Sequence, residues 1–385
     1  MWEGHSVPRQ GHMDRFEDKS RRDGAPPTLI MEMEEMKDSI KFKPLIHGLL
    51  RDELTAICKE LGEPAYRAGQ VWDWLYRQHV KTWEEMKNVP TVLRDALAER
   101  YELLSVKPIQ QDGEHTGTRK ILVGLRDGEC VEEVLIPARE RRTVCVSSQV
   151  GCKFACAFCA SGKGGWIRNL EAGEIVEELM LAWEEYGDRP TNIVFMGMGE
   201  PFDNYDAVIK AIRIINDGKG LNLGIRHITI STSGVVPGIK RLSGEGLQVE
   251  LSVSLHAPNN ELRSRLMPVN KRYPIEELIE ACARHTEATG RIVTFEYTLI
   301  RGVNDTHAHA VELAKLLKTL PSRVNLIPLS PVDGYEGLPP LDGTSEIFKE
   351  QLAKVGVNAT YRVSKGGAID AACGQLRLRK LKSET

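Results

Sequence analysis

The run Cys152-Lys153-Phe154-Ala155-Cys156-Ala157-Phe158-Cys159 sets three thiols in eight residues, spaced C-x3-C-x2-C. Thiolates bind soft metals, and a [4Fe–4S] cluster normally takes one cysteine per iron. Three ligands leave one iron with an open position, where a small molecule can coordinate and be activated. The amino and carboxylate groups of S-adenosylmethionine suit that position. An electron from the cluster would then cleave its sulfonium and release a 5′-deoxyadenosyl radical. Structural zinc needs a fourth ligand, usually from a second cysteine pair or from histidines. No second C-x2-C pair exists, and no histidine lies between His115 and His227. Phe154 and Phe158 would shield a cluster from water. Gly151, Gly162, Gly164 and Gly165 would let the backbone wrap closely around it. Two further thiols are candidates for covalent chemistry on a substrate: Cys145, upstream of the motif, and Cys373, near the C-terminus. Taken alone, Cys145 reads as a buried strand residue and Cys373 as a tail thiol.

The elements that must position these groups follow from periodicity. Residues 120–125, 130–137 and 143–146 read as strands. Apolar strands then alternate with helical runs. Residues 192–196 precede a helix near 205–216, and 227–230 precede one near 235–243. Residues 249–255 precede a helix near 274–289, 292–300 one near 306–319, and 323–328 one near 344–354. This βα repeat predicts an α/β fold with a parallel sheet and outer helices. About six units suggest a partial (βα)6 barrel with its site at the C-terminal strand ends. Polar residues recur there: Gly199 and Glu200 in Gly197–Pro201, Ser231 in Ser231–Gly234, Ser254 and His256 in Ser254–Pro258, and a group near 328–331. The glycines of Gly197–Pro201 would admit a ligand close to the backbone, and Glu200 would accept a bond from an amino group. A tight βα connection or helix capping by the hydroxyls explains each cluster separately.

Before the barrel, Leu54, Ile57, Cys58 and Leu61 share one helix face, which makes Cys58 a core residue. Cys282 falls on the buried face of the 274–289 helix in the same way. Trp74 and Tyr76 with nearby arginines either contact RNA by stacking or belong to a helical core with a solvated basic face. His307 and His309 alternate like metal ligands but read as helix-surface residues. The expected organisation is a disordered tail at 1–40, a helical module at 41–105, a β-rich connection at 106–142, the barrel at 143–376 and a basic tail at 377–385.

Composition narrows the function classes. Of the 385 residues, 41% are hydrophobic and 27% charged, as in ordinary globular proteins. A formal net charge of −3 does not mark a nucleic-acid binder, so any such site must be a local patch. Arg139–Arg142 and Arg377–Lys382 are candidate phosphate contacts. Eight cysteines in a chain this long are not a disulfide scaffold, and their clustering fits a reducing compartment. No apolar run approaches the roughly 18 residues of a membrane span. With no secretory signal in view, a cytoplasmic location without a membrane partner is expected.

In combination, Thr143–Cys152 (TVCVSSQVGC), the cysteine motif, Gly197–Pro201 (GMGEP), Ser254–Pro258 (SLHAP) and Ile369–Gln375 (IDAACGQ) strongly resemble the RlmN/Cfr family of radical S-adenosylmethionine RNA methyltransferases. The resemblance runs from about residue 45 to 376. It includes a helical N-terminal module, which raises the RNA-contact reading there. Pro201 favours the RlmN side, which methylates C2 of adenosine, over the C8-methylating Cfr side. The resemblance implies as substrate an adenosine of 23S ribosomal RNA, met while the subunit is still protein-poor. In many bacteria the adenosine 3′ of the anticodon in some transfer RNAs is a second one. It implies a [4Fe–4S] cluster on Cys152, Cys156 and Cys159, and two S-adenosylmethionine molecules consumed per turnover. Gly199, Glu200, Ser231, Ser254, Leu255, His256 and Ser330 are then the cofactor-binding residues.

The resemblance also implies the covalent route. Cys373 takes a methyl group, and a methylene radical on it adds to the base. Cys145 resolves the protein–RNA link, leaving a transient Cys145–Cys373 disulfide, and Glu132 is the proton acceptor. An electron donor such as flavodoxin or ferredoxin, and a monomeric state, complete the expectation. The competing readings are a C8 methyltransferase, a radical enzyme that does not methylate, and an RNA-binding assembly protein with a structural cluster. Two positions depart from the family pattern. Ser330 stands where an asparagine is usual. Arg362–Ala368 (RVSKGGA) carries less charge than the usual loop before the methylated cysteine, which directs attention to Lys365 as an RNA contact.

Overall fold

The computed structural model describes residues 42–114, 117–362 and 375–377. Three helices come first: α1 (Arg51–Glu60), α2 (Tyr66–Asp73), which runs on into a π-helical turn at Trp74–Gln78, and α3 (Thr91–Arg100). Leu54 and Cys58 of α1 pack against Val71, Trp72, Leu75 and Tyr76 in a continuous apolar core. Cys58 is fully buried, as its helix position requires. Tyr76 is buried too and donates its hydroxyl to the His47 carbonyl at 3.1 Å. Of the two readings for Tyr76, the helical-core one therefore holds: its ring is packed edge-to-face against Trp72, 4.5 Å away between centroids.

A ten-stranded sheet follows. Strands β1 (Lys107–Gly113), β2 (Arg119–Gly124), β3 (Cys130–Ala138) and β4 (Arg141–Cys145) form an antiparallel meander. Then β4 pairs in parallel with β7 (Asn192–Phe195). The parallel series continues through β8 (Ile228–Thr232), β9 (Glu250–Ser254), β10 (Val293–Leu299), β11 (Ser322–Pro328) and β12 (Asn358–Tyr361). A separate hairpin, β5 (Gln149–Gly151) and β6 (Trp166–Asn169), brackets the cysteine motif, with the short α4 (Ala160–Lys163) inside it. Six helices lie between successive parallel strands: α5 (Ala172–Tyr186), α6 (Tyr205–Asn216), α7 (Val236–Ser243), α9 (Ile275–Thr289), α10 (His307–Leu317) and α11 (Thr344–Ala353). The short α8 (Asn260–Leu266) precedes α9. The strand order is linear from β1 to β12, so the sheet is not closed into a full barrel. This is the α/β architecture with parallel strands that the βα repeat predicts.

Strand patterning shows which face is which. In β8, Ile228, Ile230 and Thr232 are buried towards the helices, while Thr229 and Ser231 stay half-exposed on the other face. In β11, Val324 and Leu326 are buried while Asn325 and Ile327 are half-exposed. The alternation has period two, so these two strands give one residue set to the helix layer and the other to the concave face. Cys282 of α9 is fully buried in the helix layer. His309 caps the start of α10 through Thr306, and His307 beside it is exposed, as surface histidines.

Helix α5 was not anticipated. It buries Ile175, Val176, Leu179 and Met180, and also Glu174, Glu177 and Glu178, which disguise its apolar face. Each glutamate has a partner. Glu174 caps the helix through the Glu171 amide and takes both terminal nitrogens of Arg168 at 2.8 Å. Glu177 accepts the Ser105 and Val106 amides and lies 3.1 Å from His47 Nδ1, fastening the N-terminal helices to the barrel. Glu178 accepts the Ser147 amide at the end of β4. Among the described residues no helix is long and apolar enough to cross a membrane.

Candidate active site

The loops at the C-terminal ends of the parallel strands enclose a cavity of about 240 Å³. Cys152, Cys156 and Cys159 line it together with Gly199, Glu200, Ser231, Ser254 and His256. Eight residues that sequence reasoning assigned to cluster and cofactor thus line one cavity. The cysteine loop is held by its own backbone: the Cys152 amide donates to the Gly165 carbonyl, and the Cys159 amide to the Cys156 carbonyl. The Ala157 amide donates to the Leu266 carbonyl at the end of α8. Gly151, at φ +79°, passes so close to Gly165 that a Cβ would fall 1.8 Å from its carbonyl oxygen. Ala155 adopts a left-handed φ of +48°, a conformation that costs a residue with a Cβ about 1 kcal/mol.

Burial pushes the Cys152 thiol up to about 12 and that of Cys156 higher still. Such thiols are poor nucleophiles, and a coordinated metal would remove their protons outright. Among the described residues no three His, Cys, Asp or Glu side chains converge on a single metal ion. A four-iron cluster does not ask for that convergence, since each thiolate takes a different iron. The three-cysteine donor set, the aromatic walls Phe154 and Phe158 and the tight loop fit such a cluster.

The other wall is assembled by the segment after β4. Ser147 Oγ donates to the Glu132 carbonyl and receives the Met198 amide, joining β3 to the Gly197–Pro201 loop. Gln149 Oε1 receives the Glu200 amide at 2.9 Å. Gly199 has φ +98°, and a Cβ there would lie 2.6 Å from Gln149. Its glycine requirement is therefore set by this protein–protein approach and not by ligand contact alone. The Glu200 oxygens receive the Phe202 and Ser233 amides at 3.0 and 2.6 Å, tying the loop to the end of β8. Burial raises its carboxyl above the usual glutamate range, and those donors oppose the rise. Each oxygen keeps acceptor capacity for a ligand amino group.

His256 adopts a left-handed φ of +55° and sets its ring 4.9 Å from that of Phe158. Burial, aided by Arg263, pushes it down to about 3. Its Nδ1 accepts the Thr298 amide at 2.9 Å, so the neutral ring carries its proton on Nε2. Arg263 is fully buried. It donates to the carbonyls of Ser233, Ser254 and Leu255 and to Asn270 Oδ1, clamping the ends of β8 and β9. Burial pushes it down to about 10, still a cation near neutrality.

Comparison with known proteins now decides the family. The profile described as "Ribosomal RNA large subunit methyltransferase N-terminal domain" matches residues 46–103, and that of the "Radical SAM superfamily" matches residues 146–314. A protein of Dictyoglomus thermophilum, named a probable dual-specificity RNA methyltransferase RlmN, is 49% identical over 341 residues, covering 86% of this chain and 96% of its own. A like-named protein of Geobacillus kaustophilus is 47% identical over 349 residues, covering 89% and 94%. This chain belongs to the RlmN family of radical S-adenosylmethionine RNA methyltransferases. The crystal structure of a radical SAM methyltransferase from Sphaerobacter thermophilus superposes with a TM-score of 0.82 at 47% identity, covering 86% of this chain and 98% of that one.

Several residues expected from the RlmN resemblance sit beside the cavity and not on it. Cys145 ends β4, buried, paired in register with Val134 on one side and Val194 on the other. Glu132 lies on β3 just beyond it, buried, with Lys120 Nζ at 3.1 Å and the Arg377 amide at 2.9 Å on its carboxylate. Leu255 is fully buried and acts through its backbone, receiving at its carbonyl the Arg263 guanidinium. Ser330 is not part of the cavity lining. Cys373 and Lys365 lie outside the described residues. Arg362 and Glu296 line the cavity and were not anticipated. A usable signal for Glu296 was present: it is the one charged residue of the interior strand Val293–Leu299.

Proposed function

We propose that this protein methylates C2 of adenosine in 23S ribosomal RNA, and of the adenosine 3′ of the anticodon in some transfer RNAs. The observation that carries the chemistry is where the chain end after Cys373 docks. The Arg377 amide donates to the Glu132 carboxylate, Leu376 packs on Leu122 and Cys130, and Gln375 Nε2 donates to the Pro331 carbonyl at 2.8 Å. The segment that follows Cys373 is therefore anchored to the strand bearing Glu132, next to β4 with Cys145. When bound on Cys152, Cys156 and Cys159, the cluster would supply the electron that cleaves S-adenosylmethionine to a hydrogen-abstracting radical.

The chain's own residues account for the rest. C2 of adenine is electrophilic and does not attack a sulfonium methyl. Cys373 takes a methyl group as a thioether instead, using one S-adenosylmethionine, and a second provides the radical. Glu132 receives the C2 proton. Before that, the S-methyl group of Cys373 gives up one hydrogen atom to the radical and its carbon bonds to C2, and the adduct loses one electron along with the C2 proton. Cys145 then attacks the Cys373 sulfur, the carbon–sulfur bond breaks towards the base, and the released carbon takes a proton to become the methyl group. The resulting Cys145–Cys373 disulfide must be reduced before the next turnover. The base must leave its stack to reach the strand ends. A flavodoxin- or ferredoxin-type donor suits the electron requirement.

The test is nucleoside mass analysis after incubating reconstituted protein with S-adenosylmethionine, reductant and RNA lacking the modification. The expected product is 2-methyladenosine, absent with Cys373→Ala. Formation of 8-methyladenosine would move the activity to the Cfr type. Cleavage of S-adenosylmethionine with neither product would leave the cavity assignment standing and the RNA assignment wrong.

A further inference from the structure

Glu296 stands in the cavity with one carboxylate oxygen engaged and the other not. Its Oε1 receives Ser252 Oγ at 3.2 Å and Asn325 Nδ2 at 2.9 Å. Asn325 is itself oriented, its Oδ1 receiving Thr360 Oγ1 at 2.6 Å. The sheet register produces the far part of this chain, since Glu296, Asn325 and Thr360 are successive partners across β10 to β12, while Ser252 reaches Glu296 from two residues before its β9 partner Ser254. Glu296 Oε2 is buried and has no hydrogen-bond partner, although the residue lines the cavity with Cys156, Ser254 and His256. The whole residue is 4% exposed. Burial raises its carboxyl above the usual glutamate range; the field of Arg362 and the donors on Oε1 oppose this. The other carboxylate on the wall, Glu200, has amide donors on both oxygens. A buried acceptor left unmatched is destabilising, and more so when charged. Folded proteins retain such a group where water or a ligand supplies the missing donor.

We propose that Glu296 Oε2 accepts a hydrogen bond from a ribose hydroxyl of S-adenosylmethionine, positioning the adenosyl end of the cofactor against β10. The proposal rests on the reading that this cavity holds the cofactor. A hydroxyl donor to a carboxylate is a strong, charge-assisted pair, and the two donors on Oε1, one of them held in turn by Thr360, fix the direction in which Oε2 is presented. Depth favours the cofactor over the target nucleoside as the source of that hydroxyl. A free small molecule can be enclosed at mid-strand level more readily than a nucleotide tethered to RNA through both its phosphates. Glu296 touches no reacting atom in this account and is a positioning residue.

The test is equilibrium dialysis of cluster-reconstituted protein with labelled S-adenosylmethionine and with its 2′-deoxy and 3′-deoxy analogues. RNA affinity is measured in parallel by filter binding. Loss of one charge-assisted bond corresponds to roughly 10-fold or more in affinity. Glu296→Gln is expected to weaken S-adenosylmethionine binding by about that factor and leave RNA affinity unchanged. One deoxy analogue is expected to bind wild type that much more weakly, and to bind wild type and E296Q alike. Wild-type affinity equal for all three ligands overturns the proposal without relying on the variant's folding. An E296Q protein that loses RNA affinity and keeps cofactor affinity also overturns it, assigning Oε2 to the substrate nucleoside. Wild type that does not bind S-adenosylmethionine at all would remove the cavity reading itself and the proposal with it.

Discussion

The cavity is expensive residue by residue. Ala155 and His256 hold left-handed backbone, Arg263 is a buried cation with only neutral hydrogen-bond acceptors, and Glu296 keeps an unmatched oxygen. Such features persist only where the surrounding structure over-determines them, and they concentrate at functional sites. Arg263 shows how: its planar fork serves several acceptors at once, which a lysine ammonium could not match in geometry. The most sharply constrained residue is Gly151. In Gly151→Ala the new Cβ meets the Gly165 carbonyl, so β5 and β6 must separate and the cysteine loop loses its frame. Iron and sulfide content after reconstitution is expected to fall well below wild type. Content equal to wild type would mean that the hairpin does not hold the loop.

Elements carry a different constraint. Glu133 on β3 faces Glu178 and Glu185 of α5, and neither of its carboxylate oxygens has a hydrogen-bond partner. Burial, then those two carboxylates, raise its carboxyl well above 4.5, with Arg119 only partly opposing. A carboxyl raised in the folded state contributes stability below its unfolded value, and that contribution is lost as pH rises towards the folded value. Replacing it by Glu133→Met removes the buried ionisable group at similar volume. The variant is expected to gain stability over wild type as pH rises from 5 to 8, by about 1–3 kcal/mol at the upper end. Urea denaturation across that range checks this; a difference that stays flat with pH would show that Glu133 is not held protonated. The same helix explains why sequence patterning overlooked α5. Three buried glutamates interrupt its apolar face, and only their partners on other elements make them compatible with burial.

At the scale of the whole molecule, Glu177 joins the N-terminal helices to the barrel. One carboxylate receives the Ser105 amide and hydroxyl and the Val106 amide, with His47 on its other oxygen. Glu177→Ala leaves these groups without their acceptor, and the module loses its fixed position. The expected outcome is RNA affinity lowered by about tenfold or more, with S-adenosylmethionine affinity within twofold of wild type. Filter binding and equilibrium dialysis measure the two. Unchanged RNA affinity would show that the module does not help to hold the substrate.

Much of this protein is legible without its structure. The C-x3-C-x2-C spacing is chemistry that needs no fold to be recognised, because thiolate count and spacing alone specify the donor set. The βα alternation is also local information, since apolar runs and their helical followers repeat with fixed periods. The polar strand ends Glu200, Ser231, Ser254 and His256 were identified because parallel topology sends every strand's C-terminal end to one face. Tertiary structure decided the rest, where the relevant partner is distant in the chain. Glu296 acquires meaning from Ser252 on one neighbouring strand and Asn325 on the other. Glu132 acquires its from Arg377, and between RNA contact and core Tyr76 is decided for the core because Trp72 and the His47 carbonyl claim it. Gly199 answers to Gln149 across a loop contact. Sequence by itself determined which groups this protein possesses and the order of its elements. Only packing between distant segments determined which groups are already satisfied and which remain open.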